Sequence, residues 1–236
     1  MAVQCNLCGS TEFLAQGTRS AVRCASCGSL ERTRMLWLHL SGMRLSPQDR
    51  CLHIAPDRGL VSLLSQRLAP GNYTTADLFP DLYRKIDPDC VRIDLCDLEA
   101  WPDRSYDYII HSHVLEHTPC NLAYTLYHLH RMLRDGGRHI FVIPFLGGNF
   151  DEYLGEMKEA DRVTRFGQND HVRRFGKADI DRHIGAILNL PAEFDAEARF
   201  GAQVLRDANI PQALWRGYSG TSVQVVAKGD YKLGQF

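Results

Sequence analysis

The chain has 236 residues, 44% of them hydrophobic and 23% charged, with 27 Lys and Arg against 28 Asp and Glu. That length admits one substantial domain with a small appendage. The near-neutral balance and the absence of a basic run argue against an extended nucleic-acid or membrane-surface role. No apolar run approaches the roughly 18 residues needed to span a bilayer, and MAVQCNLCGS carries no signal-peptide pattern, so a cytoplasmic location is expected.

Residues 1–30 form a distinct module. Cys5 and Cys8, then Cys24 and Cys27, give a C-x2-C-x15-C-x2-C spacing. Two such knuckles match a tetrahedral, all-thiolate zinc site, with one structural ion and no open position. Gly9 and Gly28 each follow a second cysteine, as a knuckle turn requires. Disulfides are not expected among the scattered Cys51, Cys90, Cys96 and Cys120 in a reducing compartment. The segment ERTRMLWLHL reads as a helix within a linking stretch, 31–48, which docks the module on the main domain.

From residue 49 to 236 strands and helices alternate. CLHIA is a buried strand and GLVSLLSQRLA a helix stopped by Pro70-Gly71. NYTTADLF, CVRIDL and YDYIIHS are three further strands. CNLAYTLYHLHRMLRD is an amphipathic helix ended by Gly136-Gly137, and RHIFVIPF is a fifth strand. This order predicts an α/β, doubly wound, mostly parallel sheet, seven-stranded when complete. Residues 147–177 interrupt the rhythm as a polar insertion. A helix over 178–188 and a strand, TSVQVVAK, resume it, with one more strand expected within 191–220.

In such sheets ligands bind beyond the carboxyl ends of the strands. The strand ends carry Ala55-Pro56-Asp57-Arg58-Gly59, Asp77, Asp94, and the polar run HSHVLEHTP. SYDYIIHSHVLEHTP followed by LHRMLRDGGRHIFVIPF resembles the second half of class I S-adenosylmethionine-dependent methyltransferases, over residues 50–145 and the late strand. With the cysteine knuckles, it is similar to a bacterial subgroup of that family bearing an N-terminal zinc ribbon. The resemblance implies a Rossmann-like methyltransferase with S-adenosylmethionine as cofactor. CLHIAPDRG lies where the family places its glycine-rich motif. Here His53 replaces an acid, Ala55 and Asp57 replace glycines, and only Gly59 matches. The resemblance makes Asp77, followed by Leu78, the ribose acceptor. It sets Asp94 and Leu95 beside the adenine, and His111 near the methionine moiety.

Each assignment has a structural alternative. Asp77 is also placed to cap the next segment, and Asp94 to close a turn. His113 and His171 are candidate bases, and His117, Asp170, Arg173 and Arg174 candidate acceptor contacts. The same residues also suit a packed loop. The spacing of His111, His113 and His117 does not put all three on one face, which argues against a metal held by that trio. The expected reaction is methyl transfer to an O or N of a small-molecule or saccharide-like acceptor. Two alternatives are an rRNA or tRNA methyltransferase using Arg19, Arg23, Arg32 and Arg34 around the module, and a non-catalytic partner protein of the same fold.

Overall fold

The structure, a computed structural model, describes residues 3–232. The cysteine module holds a short hairpin, β1 (Phe13–Gln16) and β2 (Arg19–Cys24). Helix α1 (Glu31–Ser41) follows, then β3 (Cys51–Ile54), α2 (Arg58–Arg67), β4 (Tyr73–Asp77) and the short β5 (Val91–Arg92). Next come β6 (Tyr106–Ser112), α3 (Leu122–Met132) and β7 (Leu133–Val142). Just before the insertion comes β8 (Phe145–Leu146), and the insertion contributes β9 (Asp151–Glu152), α4 (Glu159–Phe166) and β10 (Arg173–Gly176). The chain closes through α5 (Ile184–Ile187), α6 (Ala196–Phe200), α7 (Ala202–Asp207) and β11 (Val223–Ala227).

The main sheet has the order β11-β7-β6-β3-β4-β5, parallel except for β11, which runs antiparallel to β7. The expected doubly wound, mostly parallel architecture is therefore present. Both faces are covered, which is why β3 is buried at every position. Alternating residues supply two cores. Ile109 and Phe141 pack with Leu126, Leu129 and Met132 of α3 on one face. Ile110, Ile140 and Val142 pack with Met35, Leu36 and Leu40 of α1 on the other. Cys5, Leu7 and Cys24 belong to that second cluster, so the cysteine module shares the domain's core.

Five expectations need correction. The sheet has six strands among the described residues, not seven. The strand expected in 191–220 is absent from it: that segment folds as α6 and α7, with only an isolated Asp195–Arg216 bridge. Its apolar residues Phe194, Leu205, Ile210 and Trp215 are spent covering the α1 face. The helix expected over 178–188 shrinks to a single turn and α5, because His183 leaves helical geometry with φ −115° and ψ −85°. The long helix stops at Met132 rather than at the glycines, since Leu133 pairs with Tyr106. Gly137 then takes a bulge where a Cβ would lie 2.9 Å from the Arg134 carbonyl oxygen. Finally, Cys96 and Cys120 form a disulfide, their Cα atoms 5.6 Å apart. The sheet topology, not the sequence spacing, brings those two loops together.

The insertion is not a loop but a small three-stranded sheet, β8-β10-β9. Arg173 holds it in place. Its guanidinium is fully buried, paired with Glu152 at 2.7 Å, and donates to the carbonyls of Leu115 and Cys120 and to Thr118 Oγ1.

Candidate functional site

The segment after β3 explains its missing glycines. Ala55 sits at φ 50°, a left-handed conformation that normally selects glycine. A glycine-type backbone bend is therefore held here with an alanine in it. Asp57 is the N-cap of α2, accepting from the Gly59 amide at 3.3 Å and from Thr33 Oγ1 at 2.7 Å. Gly59 is not free for a ligand: a Cβ there would lie 2.7 Å from Leu7 Cδ2 and 3.5 Å from Cys27 Sγ. This glycine makes room for the cysteine module.

Two cavities meet at the carboxyl edge of the sheet. The first, about 390 Å³, is lined by Ala55, Asp77, Leu78, Tyr83, Asp94, Leu95 and Cys96, with His113, His117 and Asp170 at its inner end. It is predominantly apolar, with a carboxylate at each of two strand ends. Asp77 Oδ1 accepts from the Phe79 amide at 2.8 Å, and Asp94 Oδ1 from the Cys96 amide at 2.9 Å. Both therefore close turns, and both still border the cavity. Burial, then the adjacent Asp77 carboxylate, pushes the Tyr83 hydroxyl up to about 12. Leu78 and the exposed Phe79 and Leu82 form an apolar rim.

The second cavity, about 580 Å³, is more polar. His53, Ala55, His113, Glu116 and His117 line its floor, Arg19, Glu31, Arg32 and Thr33 one wall, and Gln168, Leu214 and Thr221 another. Ala55, Tyr83, His113 and His117 border both cavities. Arg19, from β2 of the cysteine module, pairs with Glu31 of α1. The two basic residues facing this cavity were legible only as charges near the module. Nothing in their spacing says that β2 and α1 bring them to one cavity.

Of the remaining candidates, His111, His171, Arg173 and Arg174 line neither cavity, and His53 lines the larger one alone. His111 is fully buried, bonded through Nε2 to His139 Nε2 at 2.8 Å, and lines neither cavity. His53 bonds Tyr73 Oη at 2.8 Å through Nδ1. Burial, then mutual proximity, holds His53 down to about 3; burial likewise holds His111 to about 3. Both are neutral at physiological pH. Arg173 is the clamp already described, and Arg174 lines neither cavity. His171 is buried behind His117, their ring centroids 4.6 Å apart. Arg34, counted among the module's basic residues, is 0% exposed. It donates to the carbonyls of Ser29, Ala208 and Asn209 and stacks over Phe13.

The four cysteines of the module converge, with their Sγ atoms all within 4.8 Å of one another. Cys5 and Cys27 lie 3.7 Å apart, and Cys8 and Cys24 3.5 Å. Zinc bound at about 2.3 Å to four tetrahedral thiolates sets its sulfurs roughly 3.7 Å apart, so the donor set fits that ion. Burial opposes ionisation of Cys24, but the amides of Cys27 and Ser26 donate to its sulfur and lower it to about 6.

A doubly wound, mostly parallel sheet with its cavities at the carboxyl edge is the architecture of a class I S-adenosylmethionine-dependent methyltransferase. Comparison agrees: a family described as "Methyltransferase domain" matches residues 30–182, and the chain belongs to that family. Comparison with curated protein sequences finds no match. Among solved structures, the chain is similar in fold to an S-adenosylmethionine-dependent methyltransferase from Mesorhizobium loti. That pair shares 16% identity over 81% of this chain and 96% of the other, with a TM-score of 0.52. It is also similar to a chain of the Haloferax volcanii complex containing the Trm112 methyltransferase activator. There the identity is 14% over 84% of this chain and 91% of the other, with a TM-score of 0.52. No helix among the described residues is long and apolar enough to cross a membrane.

Proposed function

We propose that the chain transfers a methyl group from S-adenosylmethionine to an oxygen or nitrogen of a small, polar acceptor. In this reading the 390 Å³ cavity takes the cofactor. Asp77 receives the ribose hydroxyls through its remaining oxygen, a bidentate diol being well served by a carboxylate. Asp94 and Leu95 flank the adenine, and the Leu78–Phe79–Leu82 rim covers it. The methionine end passes Ala55 toward His113. The chemistry is an in-line displacement whose leaving group needs no acid, so positioning and water exclusion dominate. His113 is the group placed between the two cavities to accept the acceptor's proton. Its Nε2 lies 2.9 Å from the Gly220 carbonyl and must donate to it, leaving Nδ1 as the basic nitrogen.

The single observation carrying this reading is the shared border of the two cavities at Ala55, His113 and His117. It lets a cofactor in one meet an acceptor in the other. The acceptor side is mixed in charge, with Arg19 and Arg32 against Glu31, Asp57 and Glu116. A polyol or other hydroxyl-rich molecule suits such walls. Against RNA, Arg34 is buried, while Arg19 and Arg32 line the cavity. Of the four arginines, that leaves Arg19 and Arg23 exposed, with Arg32 half-buried. In the same reading the four cysteines hold one structural zinc, with residues 1–30 as its module.

Methyl-labelled S-adenosylmethionine incubated with the protein and a cell extract, then size-fractionated, tests the proposal. Label in the small-molecule fraction is expected. Label confined to RNA or protein would overturn the acceptor class. Failure to bind S-adenosylhomocysteine in calorimetry would overturn the cofactor site.

A further inference from the structure

Glu116 is 0% exposed, and neither of its carboxylate oxygens receives a hydrogen bond. A buried carboxylate whose near partners are imidazoles alone is costly, so the surroundings of this one are informative. His113 Nδ1 lies 3.3 Å and His117 Nε2 4.0 Å from Oε1. His171, from the insertion, is 5% exposed, and its Nε2 likewise has no partner.

The outer nitrogen of each histidine is already held. His171 Nδ1 lies 3.2 Å from the Phe166 carbonyl, which can only accept, so that nitrogen carries the proton and Nε2 a lone pair. His117 Nδ1 lies 3.1 Å from Asp170 Oδ2, which likewise leaves Nε2 as the lone-pair nitrogen. His113 Nε2 donates to Gly220. Fixing one imidazole nitrogen on a carbonyl or carboxylate so that the other presents its lone pair is how metal-ligating histidines are oriented. One donor atom each from Glu116, His117 and His171 lies within 4.8 Å of the others. The Val172 amide donates to the Glu116 carbonyl at 2.9 Å, which fixes the insertion against the motif. The motif's histidines do not converge by themselves. His171, 54 residues beyond His117, completes the set by arriving from β10's approach.

We propose that Glu116, His117 and His171 bind a divalent first-row transition-metal ion whose open positions face the acceptor cavity. Two imidazoles and one carboxylate suit Mn, Fe, Co, Ni or Zn rather than the all-oxygen shells of Mg or Ca. Metal–donor distances near 2.1 Å require the three atoms to draw in by side-chain rotation. This inference rests on the methyltransferase reading. The ion takes the acceptor's hydroxyl oxygen and makes its proton more acidic. That proton passes to His113 Nδ1. The oxygen lone pair then forms the new O–C bond to the methyl carbon. The C–S bond breaks, its electron pair stays on sulfur, and neutral S-adenosylhomocysteine leaves.

Titration of the zinc-loaded full chain with Mn²⁺, followed by loss of the free-ion electron paramagnetic resonance signal, tests the site. Thiolates discriminate against Mn²⁺, so the cysteine module does not interfere. One Mn²⁺ per chain is expected, bound at least tenfold more weakly in His117→Ala and in His171→Gln. Glu116→Gln removes only the charge and is expected to weaken Mn²⁺ at least tenfold while leaving the metal-free melting temperature equal or higher. That variant carries the test if a truncation disturbs folding. No saturable binding of Mn²⁺, Co²⁺ or Zn²⁺ beyond the cysteine-held equivalent would overturn the proposal. So would unchanged affinity in Glu116→Gln. Calorimetry with S-adenosylhomocysteine on the same samples separates the two readings. Homocysteine-nucleoside binding without metal binding sinks only the metal site, and metal binding without it sinks only the cofactor site.

Discussion

Ala55 and His113 end adjacent parallel strands, and both have left-handed backbones, with φ of 50° and 57°. Each donates its amide to the next strand outward: Ala55 to the Ala76 carbonyl and His113 to that of Val142, both at 2.9 Å. The two bends diverge, and the space between them is where the two cavities join.

Strain at Ala55 sets the first prediction. Ala55→Gly relieves the left-handed penalty but frees the unfolded chain, so stability is expected to change by less than about 1 kcal/mol. Ala55→Val forces a β-branched residue into that conformation and should cost about 2 kcal/mol or more. It should also block the proposed cofactor slot. Denaturant unfolding and calorimetry with S-adenosylhomocysteine check both outcomes.

Asp77 carries a cap and a proposed ribose contact, and the two separate experimentally. Asp77→Asn keeps an oxygen for the Phe79 amide, so the melting temperature should hold. Loss of the charged acceptor should weaken S-adenosylhomocysteine by about tenfold or more, since hydrogen bonds to charged groups are worth about 1.5–3 kcal/mol. Unchanged affinity would remove Asp77 from the site.

Acid sensitivity follows from buried histidines. Burial, first of all, holds His39, His53 and His111 each to about 3. Unfolded, they titrate near 6.5. The unfolded chain thus binds protons that the folded one refuses between about pH 6.5 and 3. Stability should be flat, from these groups, above that window and fall through it. Each contributes up to about 1.4 kcal/mol per pH unit. Both ring nitrogens of His39 lack hydrogen bonds, and the ring packs between Phe194 and Phe200. His39→Leu should therefore lower the slope by one proton and stabilise the chain at pH 5. Urea unfolding across pH measures it.

The Cys96–Cys120 bridge joins the turn after β5 to the loop after β6, beside the 390 Å³ cavity. Closing a loop of that size is worth about 3 kcal/mol in the chain-entropy view. Cys96→Ser together with Cys120→Ser should lower stability by about that amount and weaken S-adenosylhomocysteine. Reductant should have no further effect on the double variant.

Much of this was readable before folding. Alternation of apolar runs with amphipathic stretches predicts the parallel sheet, and its strand ends predict Asp77 and Asp94. Paired C-x2-C spacing predicts the convergence of four sulfurs. What escaped the sequence depends on long-range packing. Gly59 looks like a cofactor glycine, yet its missing Cβ accommodates Leu7. Ala55 looks like a lost glycine, yet tertiary hydrogen bonds hold it in the glycine conformation. Arg34 looks like surface charge, yet α1 buries it. His171 and Glu116 meet only because β10 docks on the loop after β6, a distance no local periodicity encodes.

Arg34 has one more consequence. Its guanidinium links Ser29, at the edge of the cysteine knuckles, to Ala208 and Asn209 near the opposite end of the chain. The Gln4 amide to the Asp207 carbonyl, at 2.7 Å, and Asn209 Nδ2 to the Ala21 carbonyl, at 2.9 Å, make the same connection. The knuckles are therefore not a tethered accessory but one end of a closed circuit. Stripping the zinc proposed for them should be felt at Leu214, on the far wall of the 580 Å³ cavity. The whole chain should melt in a single calorimetric transition whose midpoint depends on zinc.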